Sequence, residues 1–110
     1  MEKIEEITKP GYVVIKINSP ISLRELNELM EKMIDQKSYK ICVDITAIPT
    51  LPSDNIRFIV LAHKRIERYG KKIAILAQKG VIKTMESMGL NRVIFLSSEE
   101  KVVDDFMASQ

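Results

Sequence analysis

Two short runs constrain the fold most: Lys40–Ile45 (KICVDI) and Lys72–Ala77 (KIAILA) are almost continuously apolar. A strand wetted on one face alternates polar with apolar residues, so runs like these need cover on both faces, as in a parallel sheet. The stretch between them reads as a helix. Ser53 caps it, Ile56, Ile59, Val60, His63 and Ile66 share one face, and Gly70 stops it. Before that helix, Thr46–Pro52 carries two prolines and must be a loop.

The rest of the chain extends this alternation. Lys3–Thr8 and Tyr12–Ile17 are rich in β-branched residues and flank Lys9-Pro10-Gly11, which predicts a hairpin. Ser19-Pro20 breaks the chain, and Ser22 with Glu25 has the spacing of a capping box. Leu23, Leu26, Met30, Met33 and Ile34 then follow at helical spacing, with Arg24, Glu28, Glu31 and Lys32 on the wet side, as far as Gln36. Val81–Met88 reads as a short helix stopped by Gly89, and Arg92–Leu96 as a last strand. Ser98, Glu99 and Glu100 start a terminal helix through Val102, Val103 and Phe106. The order ββαβαβαβα predicts an α/β fold with a mixed, largely parallel sheet, right-handed crossovers and flanking helices. At 110 residues, positions 1–110 are expected to be one domain.

Composition narrows the function classes. Apolar residues at 45% and charged residues at 29% exclude a disordered chain. No apolar run approaches the roughly 18 residues of a membrane span, and no signal-peptide pattern opens the sequence, so a cytoplasmic location is expected. No Gly-rich phosphate loop, nucleophile elbow or paired His/Cys spacing is present, so neither enzyme activity nor a metal or cofactor is expected. His63, alone on an apolar stripe, is expected to be hydrogen-bonded and partly buried. Cys42, between Ile41 and Val43, is expected to be an inert buried thiol. Met85 and Met88, with Leu90, suggest an adaptable apolar patch around the third helix.

Seventeen basic and fifteen acidic residues give a net charge of +2, but the distribution is uneven. Between Arg57 and Lys83 eight basic residues face one acidic residue, Glu67, so this segment carries +7 and the remainder −5. A nucleic-acid patch, a docking face for an acidic partner and solvated helix ends all fit such a count. Arg65, Arg68, Lys71 and Lys72 gather at the end of the second helix, where the dipole favours cations. Tyr69 is the only aromatic residue in the segment after Phe58, so stacking platforms for nucleic acid are scarce and nucleic-acid binding is not expected.

In an open α/β sheet, functional loops gather beyond the carboxyl ends of the strands, which singles out Thr46–Pro52 and the helix start after it. Ser53 lies at a helix N-terminus, where unpaired N–H groups and the dipole favour negative charge. From spacing it reads first as a plain N-cap, at a place that also tolerates phosphorylation. The stretch VDITAIPTLPSDNIRFIV resembles the STAS domain, typified by bacterial anti-sigma factor antagonists, whose hallmark is a strand ending in Asp, then a hydroxyl residue, a short loop and an Asp-Ser-Ser/Ala-Gly turn. Asp44, Thr46, Ile48 and Leu51 fall on that pattern, as do the capped first helix, Tyr69–Ile73, Met88–Leu90 and the final Ser-Glu-Glu.

The resemblance implies a non-enzymatic regulatory module that binds an anti-sigma factor of the serine-kinase type and is released by phosphorylation of Ser53. A phosphatase would restore it, and a homodimer is compatible with it. The implied partner surface is Thr46, Thr50, Pro52, Ser53, Asp54, Asn55 and Arg57, with the Thr46 hydroxyl tied to the Asp44 carboxylate; Phe58, off the apolar stripe of its helix, reads either as core or as a further partner contact. Pro52, Asp54 and Asn55 replace the family's Asp, small residue and Gly around the serine. This drift also suits a rival: a constitutive STAS subunit of a transporter ATPase complex or a sensory assembly, without phosphorylation cycling.

Overall fold

The computed structural model describes residues 3–20, 22–35, 40–50, 53–70 and 72–109, without the side chains of residues 23, 26, 30, 53–55, 58 and 62. Its strands are β1 (Ile4–Lys9), β2 (Tyr12–Ile17), β3 (Lys40–Asp44), β4 (Lys72–Leu76) and β5 (Phe95–Ser97). They lie in the order β1-β2-β3-β4-β5; β1 is antiparallel to β2, and every other pairing is parallel. The hairpin turns at Pro10-Gly11, where Pro10 presets φ and Gly11 takes φ +86°.

Helices α1 (Leu23–Asp35), α2 (Ser53–Glu67) and α3 (Lys79–Ser87) join successive parallel strands, and α4 (Glu100–Ala108) closes the described fold. Three right-handed crossovers stepping in one direction must place their helices on one face of the sheet. Accordingly Leu29, Met33, Ile56, Ile66, Val81 and Met85 pack with Ile15, Ile41, Val43 and Ile75 in one cluster. On the other face α4 sets Val103 and Met107 over Tyr12, Val14, Cys42, Ala74 and Leu76. This explains why β3 and β4 read as continuous apolar runs: Ile41, Cys42, Ala74 and Ile75 are all 1% exposed or less.

Helix α4 is held by polar contacts at both ends. The Tyr12 hydroxyl donates to Asp104, and Lys9 Nζ reaches Glu100 and Asp104. At its last turn, Lys72 Nζ donates to the Phe106 carbonyl at 3.0 Å and Lys40 Nζ to that of Met107. Cations satisfy here the carbonyls that a helix end leaves unpaired. Burial and the Asp104 bond push the Tyr12 phenol up to about 12, and the Tyr12 bond holds Asp104 below the usual carboxylate range. Phe95 and Phe106 stack at 3.9 Å, and Lys72 Nζ lies 3.8 Å from the Phe106 ring centre.

Most expected elements are present, and the Ser22–Glu25 capping box is formed: Glu25 N donates to Ser22 Oγ (3.2 Å) and Ser22 N to Glu25 Oε1 (3.0 Å). Three expectations need correction. The last strand starts at Phe95, not Arg92, because Leu90–Arg92 forms a 3₁₀ turn whose Leu90 carbonyl accepts from the Val93 and Ile94 amides. Ser97, rather than Ser98, supplies the hydroxyl before α4, accepting from Glu99 N at 3.0 Å. No apolar Met patch forms on α3. Met85 is 0% exposed and Leu90 is buried, leaving Met88 exposed.

Candidate functional site

The site grows from the carboxyl end of β3. Ile45 N continues the ladder to Leu76 O at 2.8 Å, and Ile48 N turns back to Ile45 O at 3.0 Å. Ile45 and Ile48 are 1% and 4% exposed, so the apolar positions of the loop act as anchors in the core. Between them the chain bulges outward at Thr46. Asp44 Oδ1 accepts from the Thr46 amide (2.9 Å) and from its hydroxyl (2.7 Å), the side-chain turn that the resemblance implied. Gln78 Nε2 donates to the Thr46 carbonyl at 2.8 Å, so the loop is also tied to the residue preceding α3.

Beyond Thr46 the loop forms one wall of a groove of about 290 Å³, lined by Pro49, Thr50, Ile56, Gly80, Val81 and Thr84. Its floor is apolar (Ile56, Val81) and its rim carries two hydroxyls, Thr50 and Thr84. Thr84 Oγ1 is engaged with the Gly80 carbonyl at 3.1 Å. The α3 half of this groove escaped sequence reasoning, although the same carboxyl-end rule that singled out Thr46–Pro52 also covers Gln78-Lys79-Gly80, the segment leaving β4.

The described part of helix α2 runs from Ser53. The backbone there offers unpaired N–H groups and the positive end of the dipole. Pro52 lies outside the described residues, as do the side chains of Ser53, Asp54, Asn55 and Phe58. Arg57, one turn on, is exposed. The structure thus brings Thr46, Thr50 and the backbone of Ser53–Arg57 to one end of the sheet.

Away from this end, Cys42 is a buried free thiol, pushed up to about 12 by burial, and is therefore unreactive at neutral pH. His63 is 8% exposed, but the expected hydrogen bonding is not seen. Nε2 lies 3.0 Å from Glu67 Oε2, yet neither ring nitrogen has hydrogen-bond geometry to any described group. Its place on α2 is set by the apolar stripe, which turns the ring inward whether or not a partner is available. Among the described residues no group of three or more His, Cys, Asp or Glu side chains could hold a metal, and no helix is long and apolar enough to cross a membrane.

Neither a family model nor a curated protein sequence matches the chain. Solved structures do. An anti-sigma factor antagonist from Mycobacterium paratuberculosis superposes with a TM-score of 0.80 at 11% identity, over 94% of this chain and 92% of that one. The chain has the STAS-domain fold. A STAS-domain protein from Planctomyces limnophilus matches with a TM-score of 0.73 at 16% identity, over 96% of this chain and 98% of its own. The phosphorylated form of the Bacillus cell-fate determinant SpoIIAA matches with a TM-score of 0.66 at 15% identity, over 94% and 98%. At such identities the likeness is one of backbone path: a STAS sheet and its helices are built here from a different set of side chains.

Proposed function

We propose that residues 1–110 are a single STAS domain acting as a regulatory binding module, in the manner of an anti-sigma factor antagonist. It engages a serine-kinase anti-sigma factor through Thr46, Thr50 and the segment Pro52–Phe58, and phosphorylation of Ser53 releases it. The observation that carries this reading is the start of α2 at Ser53, at the carboxyl end of the sheet, in a loop held by the Asp44–Thr46 turn. A phosphate there meets unpaired helix N–H groups and the positive dipole end, so modification is compatible with the fold. It adds about −1.5 to −2 charges to a contact surface, which breaks binding by repulsion and desolvation. No catalytic residue and no cofactor enters the mechanism.

Incubation with candidate serine kinases and ATP, followed by mass spectrometry, tests the switch: phosphate is expected on Ser53 and nowhere else. A Ser53→Asp variant should bind the partner at least tenfold more weakly (about 1.4 kcal/mol). Binding as tight as the parent's would refute the switch. The replacement of the family's small residue and Gly by Asp54 and Asn55 favours a second reading, a constitutive subunit of a transporter ATPase complex or sensory assembly. Asp54 sets a like charge beside any phosphate. Co-purification with such an ATPase, and no phosphate after exposure to a kinase, would establish it.

A further inference from the structure

Among the described residues, the charge excess of residues 57–83 separates into groups with and without a partner. Arg65 is matched by Glu31 of α1 at 2.6 Å, and Glu67 lies against His63. Arg57, Lys64 and Arg68 are exposed and have no ion-pair or hydrogen-bond partner among the described residues. Among them stands Leu61, 59% exposed, the most exposed large apolar side chain described. Positions 57, 61, 64 and 68 are spaced by four, three and four residues. At about 100° per residue this confines them to an arc of about 60°, a stripe about 16 Å long from the first turns of α2 to the turn just after it.

We infer that this stripe is a docking surface for an acidic protein partner, with Leu61 as its apolar centre and Arg57, Lys64 and Arg68 as its cationic rim. An apolar centre ringed by charge is the anatomy of a protein interface, in which a few central residues dominate affinity and rim charges set partner choice. Nucleic acid fits less well, since a leucine offers no ring on which a base can stack. A lipid surface fits less well too: an interfacial helix inserts its apolar face, and that face of α2 is committed to the core through Ile56 and Ile66, at 2% and 0% exposure. Resting on the proposed role of the loop, the stripe also specifies the partner chemistry: a carboxylate-rich surface that sets an apolar side chain against Leu61. A phosphate on Ser53, one turn before Arg57, competes with those carboxylates for the same cation.

The test titrates the full chain into labelled acidic helical peptides of about 18 residues, long enough to form a helix, with a central Leu or a matched Ser. The Leu peptide should bind in 0.15 M salt and the Ser peptide more weakly. Leu61→Ser should lose about tenfold in affinity, and a variant combining Arg57→Glu, Lys64→Glu and Arg68→Glu should lose binding, with unchanged circular dichroism. Amide shifts in the parent protein should centre on residues 57–68, a readout independent of how the variants fold. Equal binding of the two peptides, or no effect of Leu61→Ser, overturns the proposal. So does tighter binding of random duplex DNA, or of phosphatidylserine vesicles, through the same residues. A kinase that phosphorylates Ser53 yet binds parent and triple variant alike refutes the stripe while leaving the switch intact. Binding through the stripe with no phosphate on Ser53 does the reverse.

Discussion

Removing the Tyr12 hydroxyl tests how α4 is fastened. Tyr12 is 6% exposed and its ring sits under Val103 and Met107, so Tyr12→Phe keeps the packing and deletes only the O–H donated to Asp104. A hydrogen bond to a charged acceptor contributes about 1.5–3 kcal/mol when buried. Here the Asp104 side chain is 45% exposed and also faces Lys9 at 3.5 Å, so water and the ammonium take over most of the lost interaction. The net loss is about 1 kcal/mol. With about 2.1 cal/mol/K per residue over 110 residues, the unfolding entropy is about 0.23 kcal/mol/K, and Tm should fall by about 4 °C.

The sign of the pH dependence follows from Asp104. Its folded pKa lies below the ordinary 3.8, so the stabilisation is present above that value and disappears as pH falls through the folded pKa. The assay is thermal and urea unfolding of the parent, Tyr12→Phe, Asp104→Ala and the double variant at pH 7, completed as a double-mutant cycle. A coupling energy under about 0.3 kcal/mol, or a Tyr12→Phe protein as stable as the parent, would refute the fastening.

Three further outcomes are expected. Asp44→Ala removes both bonds to Thr46 and should cost about 2 kcal/mol while speeding amide exchange at Thr46; an unchanged exchange rate would show that the carboxylate does not hold the turn. Burial raises the folded pKa of Cys42 from 9.0 and of Tyr12 from 10.0, each to about 12, so stability should be intact below pH 9 and decline between pH 9 and 12. Cys42 alone accounts for on the order of 4 kcal/mol of that decline, and Cys42→Ala should flatten the curve measured by urea midpoints; a parallel curve would exclude the thiol. Met85→Ala, at a position 0% exposed between α3 and the sheet, should lose about 2–5 kcal/mol by calorimetry, and a smaller loss would mean that the site collapses around the deletion.

The alternation of elements was legible because burial on two faces leaves a mark in the residues themselves: KICVDI and KIAILA can only be interior strands, and the helix between them shows its apolar stripe. Caps and stops were legible for the same local reason, as at Ser22–Glu25 and at Gly70 and Gly89, which sit at φ +72° and +78°. Leu29 is a counter-example. It lies in the core at 5% exposure although the expected stripe passed over it, because the direction from which the sheet approaches α1 is a long-range fact. The 3₁₀ turn at Leu90 escaped notice because a short apolar run satisfies its backbone locally or in a ladder with equal ease.

What the sequence determined alone, then, was the kind and order of the elements and the loop at which function is expected, since propensity, capping and amphipathic period act within a few residues. Only the tertiary structure decided that α4 packs on the face of the sheet opposite the other helices, that Gln78 and Gly80 share the end of the sheet with Thr46, and that, among the described residues, Arg65 meets Glu31 while Arg57, Lys64 and Arg68 meet no acidic group. Those outcomes depend on which residues meet across tens of positions in the chain. A charge count cannot contain that information, because pairing is a property of distance in space.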